Sequence, residues 1–189
     1  MTYDLHGTWD KGNKWLGAFL NSHTNLTEIT SALDLLWRNL IDPAKVNLGL
    51  AFYARTFTMS DPSCSAPGCM FDSGGDAGPC TRNVGTLSNA EIADIIQEKS
   101  LMPVHYTDAA VKVITWDDQW VAYDDADTYK QKADFARSEC LGGVMVWAIS
   151  EDSAEMASSL SLPGATKVNL GDVYQRGRLD CPRFAIVLR

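Results

Sequence analysis

The sequence predicts an α/β fold, and three stretches carry that expectation. Leu26, Ile29, Leu33, Leu36, Trp37 and Leu40 recur at helical spacing, opened by a capping box at Asn25-x-x-Glu28 and closed at Asp42-Pro43. Trp37 lies on the apolar face and reads as core. Val46 to Tyr53 then reads as a strand, with Leu48, Leu50 and Phe52 facing one way and Tyr53 and Arg55 sharing the opposite parity. Val144 to Ile149 is apolar without alternation, the pattern of a parallel strand covered on both sides. A helix is expected before it over Asp127 to Cys140, with Tyr129, Ala133, Ala136 and Cys140 on one stripe and Cys140 as a buried thiol.

The first ten residues, M-T-Y-D-L-H-G-T-W-D, organise the candidate chemistry. Met1 and Tyr3 alternate along an expected strand, Asp4 ends it, and Leu5, His6 and Gly7 lead into a loop that presents Trp9 and Asp10. An apolar side chain, a phenol, a carboxylate and an indole so close together suit a sugar site. The ring stacks on the apolar face of a pyranose, and the polar tips bind its substituents. Trp15, in the polar loop that follows, is a second exposed aromatic. At the end of the strand near residue 53, Tyr53 and Arg55 can enter one cleft together.

The middle of the chain reads differently. Residues 58 to 86 are rich in Gly and Pro, which rules out a long element. Ser88-x-x-Glu91 is a second capping box, and Ile92, Ile95 and Ile96 give its helix a buried face. Val111 to Trp116, a turn at Asp117-Asp118 and Trp120 to Tyr123 form an expected antiparallel hairpin. Residues 153 to 162 are expected to be helical, and Pro163 to Arg189 shows no clear pattern.

Charge and cysteines bound the function. At 189 residues the chain is long enough for one domain with a substantial core. A formal charge of −8 argues against a nucleic-acid binder or a binder of anionic membranes. No 18-residue apolar run is present for a membrane span, and no signal peptide is read in the chain. Five cysteines stand at 64, 69, 80, 140 and 181, without the spacing of a zinc site. The first three crowd a Gly/Pro/Ser-rich loop, where a disulfide of an exported protein is the better reading, with connectivity open and one cysteine left over. Asn25-Leu26-Thr27 is an N-glycosylation acceptor sequence.

The wording of three stretches goes further. Met-x-Tyr-Asp with His-Gly-x-Trp resembles the sixth-strand motif of glycoside hydrolase family 18, the chitinases and chitinase-like lectins. Asn47 to Phe57, N-L-G-L-A-F-Y-A-R-T-F, is similar to the seventh-strand G-x-x-x-Y-G-R-x-F signature, with Ala54 in place of the usual Gly. Gly142 to Asp152, G-G-V-M-V-W-A-I-S-E-D, resembles the eighth-strand G-G-x-x-x-W motif. The three come in family order over residues 1 to about 152. Cys64 to Cys80 further resembles the fungal killer-toxin-like, class V type chitinases.

That resemblance implies the C-terminal part of a (β/α)8 TIM barrel, strands six to eight, with an α+β chitin-insertion subdomain. Residues 1–57 would hold strands six and seven with the helix between, 58–123 the insertion, 124–162 the last helix and strand eight, and 163–189 a tail. It implies cleavage of β-1,4-linked N-acetylglucosamine polymers by a substrate-assisted, retaining route with no cofactor, in an extracellular setting. Tyr3 would hold the acetamido oxygen for attack, and Asp4 would bond the reacting sugar and tune the acid. Met1 and Trp147 would wall the pocket, Tyr53 and Arg55 would contact sugars from the insertion side, and Trp9 would stack beyond the cleavage point. The family's acid stands in D-x-x-D-x-D-x-E, which these 189 residues lack; Asp124 to Gln131, D-D-A-D-T-Y-K-Q, misses its last two required places. The expectation is therefore the C-terminal portion of a longer chitinase, as a fragment, truncated gene model or pseudogene product, inactive alone. The alternative is a non-catalytic chitin-binding or chitinase-like lectin fragment. The partner in both is chitin or chito-oligosaccharide.

Overall fold

A computed structural model describes residues 1–152 and the backbone of 185–188. The helix expected at 153–162 and Cys181 lie outside the described residues. In chain order the elements are α1 (Leu26–Arg38), β1 (Asn47–Ala51), β2 (Tyr53–Met59), β3 (Phe71–Gly74), β4 (Thr86–Ser88), α2 (Asn89–Lys99), β5 (Val104–Tyr106), β6 (Val111–Trp116), β7 (Gln119–Tyr123), α3 (Ala126–Ser138), β8 (Gly143–Trp147) and β9 (Ala185–Leu188). Short 3-10 turns cover Thr8–Gly12, Pro43–Lys45 and Ile149–Glu151.

Two sheets result. β1 and β8 run parallel, Asn47 opposite Gly143 through Ala51 opposite Trp147, and β9 adds a third parallel strand beyond β8. The segment expected to be a patternless tail thus contains a strand. The second sheet is antiparallel, in the order β3-β2-β7-β6-β5, with β4 also on β2. β2 runs from Tyr53 to Met59, so one unbroken strand crosses position 57/58 and belongs to the antiparallel sheet.

The parallel sheet buries the alternating residues of β1 and the apolar run of β8. Leu48, Leu50, Phe52, Val144 and Val146 pack with Leu26, Ile29 and Leu33 of α1 and Tyr129 and Ala136 of α3. Each such side chain contributes roughly 1.5–3 kcal/mol when fully buried. The opposite face carries a smaller cluster of Tyr3, Ala51 and Tyr53, with Met145 against it. The antiparallel sheet is covered on both faces, by Phe57, Phe71 and Trp120 on one and by Leu87, Ile92, Ile114 and Val121 on the other.

Several local expectations need correction. Met1–Asp4 is not a strand: it lies beside β1, tied by the Thr2 hydroxyl donating to the Gly49 carbonyl at 2.6 Å. Gly49 permits this approach, since a Cβ there would stand 2.9 Å from the Tyr3 ring. The capping box at Asn25 is only half formed. Asn25 Oδ1 accepts from Thr27 N at 3.0 Å, while Glu28 gives Oε2 to His6 and meets Asn25 only through Oε1, 3.5 Å from the side-chain Nδ2 rather than at the backbone amide. α1 stops at Arg38, short of Asp42-Pro43, because Asn39 Nδ2 bonds the Leu35 carbonyl and Leu40 takes φ +57, leaving Leu40 92% exposed instead of on the core face. By contrast, the Ser88/Glu91 box closes in both directions, and the β6–β7 hairpin turns at Asp117-Asp118.

The cysteines divide as the loop composition suggests, with one surprise. Cys64 and Cys69 form a disulfide, and Cys80 is free and exposed. Cys140 is disulfide-bonded rather than a buried thiol, and it lies past the end of α3 at φ +54, off the helix stripe.

Candidate functional site

The C-terminal ends of β1 and β8 and the start of β2 bring together six of the seven site residues read from the sequence. Met1, Tyr3, Asp4, Tyr53, Arg55 and Trp147 line one open cleft of about 390 Å³. Asp4 is its centre. It sits at φ +60, in the left-handed region, so its carboxylate points across to β2. The Arg55 guanidinium grips it with two bonds, Nε to Oδ1 and Nη2 to Oδ2, each 2.8 Å, and the Tyr53 hydroxyl donates to Oδ1 at 2.7 Å. Fork-to-carboxylate pairing of this kind is directional as well as strong. The third arm of Arg55, Nη1, donates to Thr86 Oγ1 at 2.8 Å.

Burial pushes the Asp4 carboxyl up, but the donors of Arg55 and Tyr53 outweigh this and hold it well below the usual carboxylate range. The Tyr53 phenol is pushed far up by burial and by the neighbouring Asp4 charge, so it remains a donor. His23 is fully buried behind the pair. Its Nε2 must donate to the Tyr53 carbonyl at 3.1 Å, so the neutral ring offers Nδ1 to the Asp4 amide at 3.3 Å. Burial lowers the pKa of His23, which favours that neutral form. The carboxylate itself is therefore held chiefly by Arg55 and Tyr53. The polar loop N-S-H-T gave no sign of this role, because a histidine that ties the start of β2 to the Asp4 amide has no sequence period.

Met1 and Tyr3 share the cleft but not an environment: Met1 is 89% exposed, whereas Tyr3 is buried against Tyr53, with their rings edge to face at 6.1 Å. Trp147 ends β8, is 47% exposed and lines the cleft. Trp9 is the exception among the seven. It does not line the cleft; it lies on the 3-10 turn beside it, joined through the Arg55 guanidinium 5.1 Å from its ring centroid. Its ring covers Gly7, where any Cβ would stand 2.3 Å from the indole. Asn83, Thr86 and Glu151 also line the cleft and were not read from the sequence. Trp15 is exposed on its own turn. The D-D-A-D-T-Y-K-Q stretch is used elsewhere: Asp124 is buried, bonded by Lys132 Nζ at 2.5 Å.

The turn that carries Trp9 is anchored by His6, whose Nδ1 meets Asp10 Oδ2 at 2.8 Å and whose Nε2 meets Glu28 Oε2 at 2.9 Å. Two carboxylates on one ring ask for an imidazolium. The Glu28 hydrogen bond raises the His6 pKa most, with burial opposing and Asp10 adding. A raised folded-state pKa stabilises fully below the ordinary value of 6.5 and loses that contribution as pH rises through the folded value. The melting-temperature gap between wild type and His6→Gln should therefore narrow from pH 6 to pH 9. A gap that stays constant with pH would contradict this assignment.

Among the described residues no cluster of three or more His, Cys, Asp or Glu is placed to hold a metal ion, and no helix is long and apolar enough to cross a membrane.

Residues 1–152 match the sequence profile of glycosyl hydrolases family 18. The chain belongs to that family. Its likeness to curated proteins includes "Secreted chitinase LysM12" of Penicillium expansum, 34% identical over 78% of this chain and 11% of that protein. "Probable chitinase LysM11" of the same organism is 32% identical over 95% of this chain and 19% of that protein. Among solved structures, human YKL-39, described as a pseudo-chitinase with retained chitooligosaccharide binding properties, aligns with TM-score 0.75 and 25% identity over 90% of this chain and 49% of that one. The chain spans under a fifth of these two fungal relatives and about half of that solved domain. The fold is thus a partial family-18 barrel: β1 and β8 correspond to the strands that carry the family's seventh- and eighth-strand motifs, and the antiparallel sheet stands between them in sequence.

Proposed function

We propose that this family-18 chain supplies the acetamido-binding side of a chitinase cleft and binds β-1,4-linked N-acetylglucosamine oligomers there. The observation that carries the reading is the Asp4–Tyr53–Arg55 cluster in one cleft with the exposed Trp147 at the ends of β1 and β8. An apolar ring and a few fixed polar groups in one open cleft are what a pyranose with an amide substituent requires. In a complete catalytic domain the sugar's own acetamido oxygen attacks C1 after an acid protonates the glycosidic oxygen. Tyr3 then orients that oxygen, Asp4 accepts from the sugar and remains ionised throughout, and Trp147 sets the plane of the ring. Arg55 and Tyr53 keep Asp4 charged and aimed. Met1 closes one wall, and Trp9, backed by Arg55, extends the surface for the next sugar. An extracellular setting for the parent protein is supported by the Cys64–Cys69 disulfide and by the secreted relative.

A second reading is a chain that binds chito-oligosaccharide without cleaving it. A pseudo-chitinase that retains such binding is among the similar solved structures. One variant tests the reading common to both. Trp147→Ala should weaken binding of chitotetraose by about 1–3 kcal/mol, the scale of one aromatic stacking contact, with little change in melting temperature. A core tryptophan would behave in the opposite way, costing roughly 3–5 kcal/mol of stability. Unchanged affinity beside a collapsed melting temperature would remove the platform role.

A further inference from the structure

Glu151 lies just past the G-G-x-x-x-W motif of the eighth strand, which ends at Trp147. It closes the 3-10 turn Ile149–Glu151, four residues past Trp147, and it lines the same cleft as Asp4, Arg55 and Trp147. Its Oε2 is buried and has no hydrogen-bond partner among the described residues. The neighbouring carboxylates are all answered. Asp4 has Arg55 and Tyr53, and Glu91 accepts from the backbone amides of Cys80, Thr81 and Ser88. Leaving a buried acceptor bare costs about 1–3 kcal/mol, and native proteins carry few such groups.

The charges around the cleft point the same way. Arg55 is its cationic side chain, and that charge is already committed to Asp4 in a bidentate pair. The wall therefore keeps one uncompensated carboxyl, at Glu151, beside the aromatic ring on which a sugar would lie.

We propose that Glu151 is a further sugar-binding, specificity-determining residue, its Oε2 accepting a hydrogen bond from an O–H or an ammonium N–H donor of the oligosaccharide held against Trp147. This rests on the sugar-cleft reading above. Burial pushes the Glu151 carboxyl up, Arg55 opposes this, and Glu91 and Asp4 push it further up. A donor arriving at Oε2 favours the ionised form, so binding should tighten as pH rises through the raised pKa of Glu151.

The donor has two possible sources, the hydroxyl of an acetylated sugar or the ammonium of a deacetylated one, and two ligands separate them. Wild-type 189-residue protein, Glu151→Gln and Glu151→Ala would be titrated with fully acetylated chitotetraose and with the glucosamine tetramer at pH 6. Glu151→Ala should weaken the preferred ligand by about tenfold or more, the scale of one charge-assisted hydrogen bond, while its melting temperature holds or rises. If a hydroxyl is the donor, the acetylated ligand is preferred and Glu151→Gln retains part of its binding. If an ammonium is the donor, wild type prefers the glucosamine tetramer and Glu151→Gln abolishes that preference. Both variants binding both ligands as wild type does, while Trp147→Ala still loses affinity, overturns the role of Glu151 and leaves the cleft standing. Wild type binding neither ligand overturns the cleft and this inference together.

Discussion

A fluorogenic chitotrioside incubated with the pure 189-residue protein should remain uncleaved. The reaction needs a group that gives a proton to the glycosidic oxygen at working pH, and general acid catalysis of this kind typically contributes about 10²–10⁴-fold. Asp4 cannot serve, because its contacts hold the carboxyl far below the pH at which it would carry a proton. Tyr53 fails for the opposite reason: its proton is held too firmly to be released. Precise positioning is a further large contribution to any such rate, and the chain spans about half of a solved family domain. Glu151 is the cleft carboxyl whose pKa is raised, which gives the experiment a built-in control. Turnover that disappears in Asp4→Asn would show that the site assembles its own acid and would overturn this prediction. Turnover that disappears in Glu151→Gln would identify that acid.

The largest effect on stability should come from the buried pair behind the site. Lys132 Nζ and Asp124 Oδ1 are 2.5 Å apart, and both side chains are almost wholly enclosed. The remaining acceptor sites of Asp124 are filled by the hydroxyls of Thr24 and Thr128, each at 2.8 Å. Burial alone lowers the Lys132 pKa, with Asp124 working against that shift. Removing only the carboxylate strands an ammonium in the interior, so Asp124→Ala should cost about 3–5 kcal/mol. In a chain of this size each kcal/mol corresponds to roughly 2–4 °C in melting temperature. The double variant Asp124→Leu/Lys132→Met removes both charges at similar volume and should recover most of the loss. Thr24 follows His23, so the single variant should also loosen the wedge that bonds the Asp4 amide. A single variant melting within two or three degrees of wild type would show that the pair contributes little.

The regular parts of the fold were legible because local chemistry dictates them. Ile29 and Leu33 recur at helical spacing, Ser88 and Glu91 satisfy each other's amides, and Asp117-Asp118 turns a hairpin wherever two β-prone runs flank it. Expectations failed where a distant group competed with a local one. Glu28 left its capping role because His6, 22 residues away in sequence, offers a stronger partner. Cys140 read as a thiol because a single cysteine in register with a helix's apolar stripe carries no mark of a disulfide bond.

The sequence by itself determined the family and singled out Tyr3, Asp4, Tyr53, Arg55 and Trp147 as candidates, since motif matches depend on residue type and spacing alone. Tertiary structure decided what those residues do to one another. Asp4 and Arg55 are 51 positions apart, and only the strand ends bring them to 2.8 Å. That contact commits Arg55 to a carboxylate of the same cleft, sets Trp9 beside the cleft against the Arg55 guanidinium, and leaves Glu151 Oε2 as the cleft's carboxylate oxygen without a hydrogen-bond partner among the described residues. The physical reason is the same in each case. A charge is balanced by whatever lies within a few ångströms of it, and that neighbourhood is set by how β1, β2 and β8 end beside one another.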